Sequence, residues 1–456
     1  MSRELSALIE KYGRQGPRYT SYPASPYFRD ELGESHYRDR LAEAAASREP
    51  LALYVHVPFC EERCHFCGCS VVIDKHKSLA SAYLDWLGLE MAMVREALGS
   101  RSSLIQLHWG GGTPTHLSDQ ETDRLFALVT RHFSLESEAE VAIEVDPRVT
   151  SVDRLRQLRA LGFNRISLGV QDLDPSVQEA IGRNQTEEQT TTLLEASRDL
   201  GFSSINVDLI YGLPHQTPEL FERTARRVAE LRPDRLAVYQ YAHVPWIRPQ
   251  QKAIDEGDLP KPEDKLEIFR RAEDVFGEAG YRAIGMDHFA LAGDELCRAQ
   301  DQGRLHRNFM GYTVRPATDQ IGLGLTAIGD VADAYIQNEK KLSRYRDALV
   351  GGHLPVERGL HLSEDDRRRR YVIQQLLCNF RLSDAALKER FGVDLENGFG
   401  EELEALRPLM DDGLVERVDD GLKVTDVGRH FVRNIAMVFD RYLRESREQP
   451  RFSRTH

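Results

Sequence analysis

The chain has 456 residues, 41% hydrophobic and 29% charged, enough for two or three domains around a buried core. Its net charge of −13 argues against nucleic acid as a general partner. No apolar run reaches the length of a membrane span, and MSRELSALIEKYG lacks the apolar stretch of a secretion signal, so a cytoplasmic protein is expected.

Residues 1–48 read as an N-terminal arm, in which GPRYTSYP at 16–23 is too aromatic for an ordinary linker. From about 50 to 245 strand and helix patterns alternate. The expected strands are 51–57, 104–109, 140–145, 165–170, 204–210 and 235–241. They are short, rich in β-branched and aromatic residues, and mostly apolar, as strands covered on both faces should be. Ser118-x-x-Glu121 and Thr186-x-x-Gln189 are capping boxes that open helices. Thr217-Pro218 opens another, which should stop before Pro233, and the helix at 153–161 should stop at Gly162. Six βα units imply an α/β fold with a parallel sheet and right-handed crossovers. An open, three-quarter TIM-like barrel fits this count, although a doubly wound sheet would share the local pattern.

The segment 285–345 carries glycine-rich and polar turns, GRLHRNFMGY and IGLGLTAIGD among them, expected to pack on the open side of the barrel. From about 360 the pattern turns helical, with a short strand signal at 412–425. That suggests a small winged-helix-like domain. The expected domains are therefore the arm at 1–48, a catalytic domain at 49–355 and a mainly helical accessory domain at 356–456. The basic run Arg367–Arg370 reads as a solvated helix face.

Ligands in parallel βα folds bind at the carboxyl ends of the strands. All six expected ends are polar or glycine-rich: a cysteine loop, GGGTPT (110–115), Glu144 with Asp146, Gln171 with Asp172, Asp208, and Tyr241 with His243. Four of the six cysteines, Cys60, Cys64, Cys67 and Cys69, crowd into ten residues, while Cys297 and Cys378 read as buried small hydrophobes. CEERCHFC puts three soft thiolates on one loop, suited to an iron–sulfur cluster or to zinc. A structural zinc site would need a closed fourth ligand, and Cys69, with only Gly68 between it and Cys67, makes that closure awkward. Three ligands on a cubane leave one iron open for a cosubstrate.

A CxxxCxxC loop after the first strand, followed by GGGTPT after the second, resembles the radical S-adenosylmethionine superfamily. The likeness narrows further. YVHVPFCEERCHFCGC, HWGGGTPT, IEVDPR, GVQD, NVDLIYGLP, YAHVP, GMDHFA and GRLHRNFMGYT resemble, in order, the oxygen-independent coproporphyrinogen III oxidase family, from GPRYTSYP to RNIAMVFDRYL. The resemblance implies a radical SAM barrel that oxidatively decarboxylates two propionates of coproporphyrinogen III to vinyl groups, giving protoporphyrinogen IX.

It further implies that Cys60, Cys64 and Cys67 hold a 4Fe-4S cluster. A first S-adenosylmethionine would meet Tyr54, Gly111, Glu144 and Ile328. A second would meet Phe66, Gly112, Thr113, Gln171, Arg183, Asp208 and Ala242. Cys69 and Tyr54 are the candidate catalytic side chains, and the role of Cys69 stays open between substrate and radical handling. A porphyrinogen bearing four carboxylates needs cations and aromatic surface. Arg18, Tyr19, Tyr22, Arg304, His306 and Arg307 are the candidates, or else they anchor the arm. A one-electron donor such as flavodoxin or ferredoxin is implied, and the chain is expected to act as a monomer. Departures are mild: Ser70 stands where Asn is common, and Val314–Gln320 diverges locally. The alternatives are a haem-binding chaperone of the same superfamily, a paralogous radical SAM tetrapyrrole enzyme, or a methyltransferase.

Overall fold

All six expected strands are present in the computed structural model, which describes residues 3–445 together with Phe452 and Thr455. They are β1 (Leu51–Val57), β2 (Ser103–Gly111), β3 (Ser134–Val145), β4 (Arg165–Gln171), β5 (Ser204–Tyr211) and β6 (Arg235–Gln240). Each pairs in parallel with the next. Consecutive order means that every crossover advances in the same direction, the winding of a barrel. A doubly wound sheet would reverse at its centre. The expected helix signals hold as well. Ser118 and Thr186 form reciprocal capping boxes, Thr217 caps Pro218–Leu231, and Gly162 ends its helix with φ of 112°.

The sheet continues past β1 in a way the glycine pattern concealed. β7 (Gln320–Leu323) lies parallel to β1, and β8 (Ile328–Val331), β9 (Ala334–Asn338) and β10 (Val356–His361) follow antiparallel. IGLGLTAIGD, expected as turns, is thus mostly strand. Its glycines serve close strand approach: a Cβ on Gly322 would sit 2.5 Å from Ile328 O.

Strand register sorts the side chains of β1–β6 into two layers. On one face Leu53, Val55, Leu107, Trp109, Ile143 and Leu168 are at most 1% exposed. The opposite face is polar: Tyr54 lies against His108, Gln106 against Glu140, Glu144 against Ser167, Ser167 against Asn206, and Gly169 against Asp208. The expectation of strands apolar on both faces is corrected here. Single-direction crossovers place the helices on one side only, so only that side must be greasy.

This unit comprises Phe28–Gly280 with Ala317–His361. The second unit gathers residues 1–27, 281–316 and 362–456, as far as they are described. The arm expected at 1–48 is therefore shared out, and 281–316 groups with the two chain ends. Helices of the second unit include Arg3–Tyr12, Glu364–Asn379, Asp384–Phe391, Gly400–Asp411 and Val432–Val438. A three-stranded antiparallel sheet runs in the order Arg381–Leu382, Gly421–Val424, Val415–Val418. Tyr19 and Tyr22 of the aromatic arm are part of its core, with Leu376, Phe399, Phe431 and Phe439. The run Arg367–Arg370 is only in part a solvated face. Helical period turns Arg369 inward to 8% exposure, where Glu402 and Asp365 each accept from it at 2.8 Å.

One buried carboxylate ties the barrel's edge together. Glu90, on helix Ala80–Ala97, accepts from Tyr345 Oη and Asn338 Nδ2 at 2.6 Å and from Gly324 N at 2.8 Å. Burial pushes its carboxyl up to about 7 from 4.5. The folded state then binds more protons than the unfolded one between these values, so this group's contribution to stability falls as pH rises through that window. Denaturant titrations of the parent and Glu90→Gln at pH 5 and pH 8 should shift in favour of the variant by about 2 kcal/mol at the higher pH; an unchanged difference would show that Glu90 is ionised throughout.

Candidate active site

The cysteine loop leaves β1 and is fixed at several points. Phe59–Cys60 pairs in parallel with Val72–Ile73, and the Cys60 Sγ lies 3.4 Å from Thr113 Oγ1. Cys64 Sγ receives two guanidinium N–H groups, from Arg148 at 3.6 Å and Arg183 at 3.7 Å. Cys67 Sγ accepts from Cys69 N at 3.4 Å, and Gln250 Nε2 donates to Cys67 O at 2.5 Å. Hydrogen bonds from Cys69 draw the Cys67 thiol down, and the Cys69 thiol is pushed up by the same contact. Burial raises Cys60 to about 11, a proton that metal binding would displace. Among the described residues no three His, Cys, Asp or Glu side chains close around a single ion.

The glycine segment at the end of β2 is packed without slack. Gly112 N donates to Val57 O (2.9 Å) and Thr113 N to Phe59 O (2.8 Å), stitching it under the loop. A Cβ on Gly110 would fall 2.6 Å from Glu144 Oε1, and one on Gly111, whose φ is 119°, would strike the His56 ring at 2.6 Å. These glycines are therefore dictated by close approach and backbone conformation.

Glu144 accepts from Gly111 N and pairs with His108 Nε2, both at 3.1 Å; although burial opposes it, these donors hold its carboxyl below the ordinary value. Tyr54 Oη donates to His56 Nδ1 (3.0 Å), because His56 Nε2 is committed to Ser70 O at 3.0 Å. Since Ser70 contributes only its carbonyl, a serine in place of Asn leaves this contact intact. Asp146 accepts a forked guanidinium from Arg148 and lies 3.2 Å from Arg183, and against the cost of burial the two cations hold it ionised. Arg183 also donates to Gly169 O at 2.6 Å. Gln171 takes a φ of 70° where a bulge interrupts the β4–β5 pairing. That is a strained conformation for a residue other than glycine. Asp208 accepts from Ser167 Oγ (3.1 Å) and Asn206 Nδ2 (2.8 Å).

The structure thus links Cys60, Cys64, Cys67, Cys69 and Thr113 into one loop framework, with Gly111, Gly112, Glu144 and Arg183 joined to it through β2–β4. Phe66 and Ala242 are bridged by Gln251, whose Nε2 donates to both carbonyls (3.0 and 3.1 Å). Ile328 lies half-buried at the start of β8, its carbonyl close to Gly322, which pairs with Tyr54. Asp172, a strand-end residue, turns inward. It is wholly buried and accepts from Gln216 and Thr224, fastening the strand end to helix Pro218–Leu231.

The porphyrin candidates all lie in the second unit. Tyr19 Oη donates to Asp440 Oδ2 at 2.9 Å, and Tyr22 is 2% exposed against Tyr442. Arg18 lies 3.7 Å from Asp287 Oδ2, and Arg307 donates to Arg18 O and stacks over Tyr312. Burial, with Arg370 and Arg390 nearby, drops His306 to about 4. Arg304 sits at the surface, bonded to Gln302. Sequence reasoning missed His56, His108, Arg148, Asp287, Gln250 and Gln251. Arg148 sat in the quoted IEVDPR and Asp287 in GMDHFA, but neither motif says which side chains pair in the fold. Cys297 and Cys378 are buried, as expected.

Comparison with known proteins agrees with this geometry. The Radical SAM superfamily model matches residues 54–228 and the HemN C-terminal domain model residues 362–431. The chain is 46% identical over 449 residues to the oxygen-independent coproporphyrinogen III oxidase of Escherichia coli, covering 98% of this chain and 97% of that one. The enzymes of that name from Pseudomonas aeruginosa and Synechocystis are 45% and 43% identical, over 98% and 99% of this chain and 97% and 98% of theirs. The solved structure described as coproporphyrinogen III oxidase (HemN) from Escherichia coli, a radical SAM enzyme, superposes with a TM-score of 0.91 at 44% identity, covering 96% of this chain and 98% of that one.

The glycine stitching yields a direct test. A Cβ at position 112 would lie 2.7 Å from the backbone of Pro58 and Phe59, atoms that cannot rotate away. Gly112→Ala should cost about 1–3 kcal/mol of local strain and displace the limb that carries Cys60. Iron bound per chain after anaerobic reconstitution should drop to about half or less while the circular dichroism stays that of the parent; full iron loading would show that the loop tolerates the shift.

Proposed function

We infer that this chain, which belongs to the oxygen-independent coproporphyrinogen III oxidase family of radical S-adenosylmethionine enzymes, converts two propionate side chains of coproporphyrinogen III to vinyl groups, yielding protoporphyrinogen IX. The observation that carries this reading is the three-thiol loop fixed at the carboxyl ends of a singly wound parallel sheet, with similarity to that family over nearly the whole chain. In the reaction each propionate loses a β-hydrogen atom, carbon dioxide and one electron.

The donor set fits the implied cofactors. Three thiols on one limb suit a 4Fe-4S cluster, and guanidinium N–H groups of Arg148 and Arg183 reach the Cys64 sulfur. When bound, the cluster and S-adenosylmethionine supply a 5′-deoxyadenosyl radical that takes the hydrogen atom. The rest falls to the chain. Glu144, kept ionised, offers a carboxylate edge for a ribose diol or an ammonium group. The narrow approach at Gly110–Gly112 lets a ligand reach backbone N–H and C=O groups. Asp208, Ser167 and Asn206 give the inner face fixed polar partners for a second S-adenosylmethionine, beside Gln171, Arg183, Phe66, Thr113 and Ala242. Arg183 already has Asp146 and Gly169 as partners, so any cofactor carboxylate would share an oriented cation. Tyr54 and Cys69 complete the proposed catalytic set, and Ile328 the first cofactor's surroundings.

The same reading takes a one-electron protein such as flavodoxin or ferredoxin as reductant and a cytoplasmic monomer as the working form; no helix among the described residues is long and apolar enough to cross a membrane. Propionate recognition by Arg18, Arg304, His306 and Arg307, and macrocycle contact by Tyr19 and Tyr22, stand within the same proposal, with Asp287 partly neutralising the cations.

Reconstituted anaerobically and given reductant, S-adenosylmethionine and coproporphyrinogen III, the protein should release carbon dioxide together with 5′-deoxyadenosine. Adenosine release without carbon dioxide would overturn the substrate, and tight haem binding without either product would favour the chaperone alternative. Cys64→Ala should bring both products to background. Arg183→Ala should raise KM for S-adenosylmethionine and keep the cluster's absorbance, because Arg148 still serves Asp146 and Cys64.

A further inference from the structure

The first turns of helix Pro262–Glu278 sit over the end of β5 and are pinned there. Arg271 pairs with Glu219 and Glu222 of helix Pro218–Leu231 (2.9 and 3.3 Å), and the Phe269 ring packs on that of Tyr211, the last residue of β5, with centroids 5.2 Å apart. One turn before Phe269, Lys265 lays its stem across the next residue of the strand end, Gly212. A Cβ on that glycine, whose φ is 85°, would lie 3.6, 3.5 and 3.3 Å from Lys265 Cγ, Cδ and Cε, so the stem closes on the turn toward its head group. The flanking Ile210 and Leu213 belong to one apolar cluster with Tyr241 and with Phe66 of the cysteine loop. The ammonium therefore stands at the carboxyl end of β5, on the rim that holds that loop.

That ammonium has no counter-charge. Lys265 is half-buried, burial alone lowers it from the ordinary lysine value, and no acceptor among the described residues bonds it. Of the acids in the same two turns, Glu263 and Asp264 are exposed, and Glu267 is committed to Arg270 and Arg271. A cation with three donors, partly withdrawn from water and unpaired, is costly to keep unless an anion completes it. Its Nζ is not sealed from solvent, so an anion can reach it. A tetrapyrrole that brings a reacting propionate to the cysteine loop carries its other carboxylates to the same rim, and the apolar cluster beside Lys265 suits its macrocycle.

We propose that Lys265 is a substrate-binding residue that pairs with one of the two propionates retained in the product. A cation on a reacting carboxylate would oppose its loss as carbon dioxide. On a retained one it orients the macrocycle without touching the bond that breaks. The proposal rests on the functional reading above and adds to it a cation from the barrel itself, since Arg18, Arg304, His306 and Arg307 all lie in the second unit.

Fluorescence titration of the full chain with coproporphyrin III and with protoporphyrin IX, the oxidised counterparts of substrate and product, tests it. Both carry the retained propionates. Lys265→Met keeps an apolar stem over Gly212 and should weaken both porphyrins about tenfold, as loss of one hydrogen bond to a charged group does. Lys265→Arg restores the charge and should recover most of the affinity. In turnover, Lys265→Met should raise KM for coproporphyrinogen III and leave that for S-adenosylmethionine unchanged. Unchanged porphyrin affinity in Lys265→Met, or a loss that Lys265→Arg does not recover, would overturn the ion pair. Weakening of coproporphyrin III alone would overturn the assignment to a retained carboxylate, and a raised KM for S-adenosylmethionine would move Lys265 to the cofactor. A parent that binds neither porphyrin would instead overturn the tetrapyrrole reading beneath the proposal.

Discussion

The site depends on holding a short, cysteine-rich loop still. Such a loop has little core of its own, and an open metal site must keep its geometry when ligands come and go. The solution is to clamp it from several strand ends at once: Thr113 after β2, Arg148 after β3, Arg183 after β4 and Gln250 after β6. Each clamp is itself clamped. Arg148 and Arg183 share Asp146, and Gln250 is followed by a glutamine bonded to three backbone groups.

The clamps work because the sheet has one dry face and one polar face. With the helices confined to one side, the other can keep Tyr54, His108, Glu144, Ser167, Asn206 and Asp208 in register across five strands. Charges there are paired before any ligand arrives. Glu144 has Gly111 N and His108, and Asp146 has two guanidiniums. Preorganised polar groups of this kind lose little on binding, which suits chemistry in which the cofactor does the difficult step.

The second unit follows a different logic. Its aromatic arm is consumed as core, with Tyr19 on Asp440 and Tyr22 against Tyr442. Its cations gather around a single carboxylate, Asp287, held well below the usual range by His288, Arg18 and Arg307 despite its burial. Two guanidiniums on one carboxylate leave the cluster with a net positive charge.

Local sequence determined a good deal. Strand positions, capping boxes at Ser118 and Thr186, the helix stop at Gly162 and the thiol spacing of CEERCHFC all depend on neighbours within a few residues, so they can be read from the chain directly. The family likeness rests on such local motifs too. Tertiary structure alone decided the rest, because it concerns partners far apart in sequence. Whether the sheet was singly or doubly wound turned on strand order, and IGLGLTAIGD became strand only because Gly322 had to pass close to Ile328. Arg369 was drawn inward by Glu402, some thirty residues on. Gln250, whose neighbourhood looks like an ordinary loop, became part of the site because folding set it against Cys67, 183 positions away. Spacing along the chain fixes which ligands share a loop, and only the closed fold fixes what holds that loop.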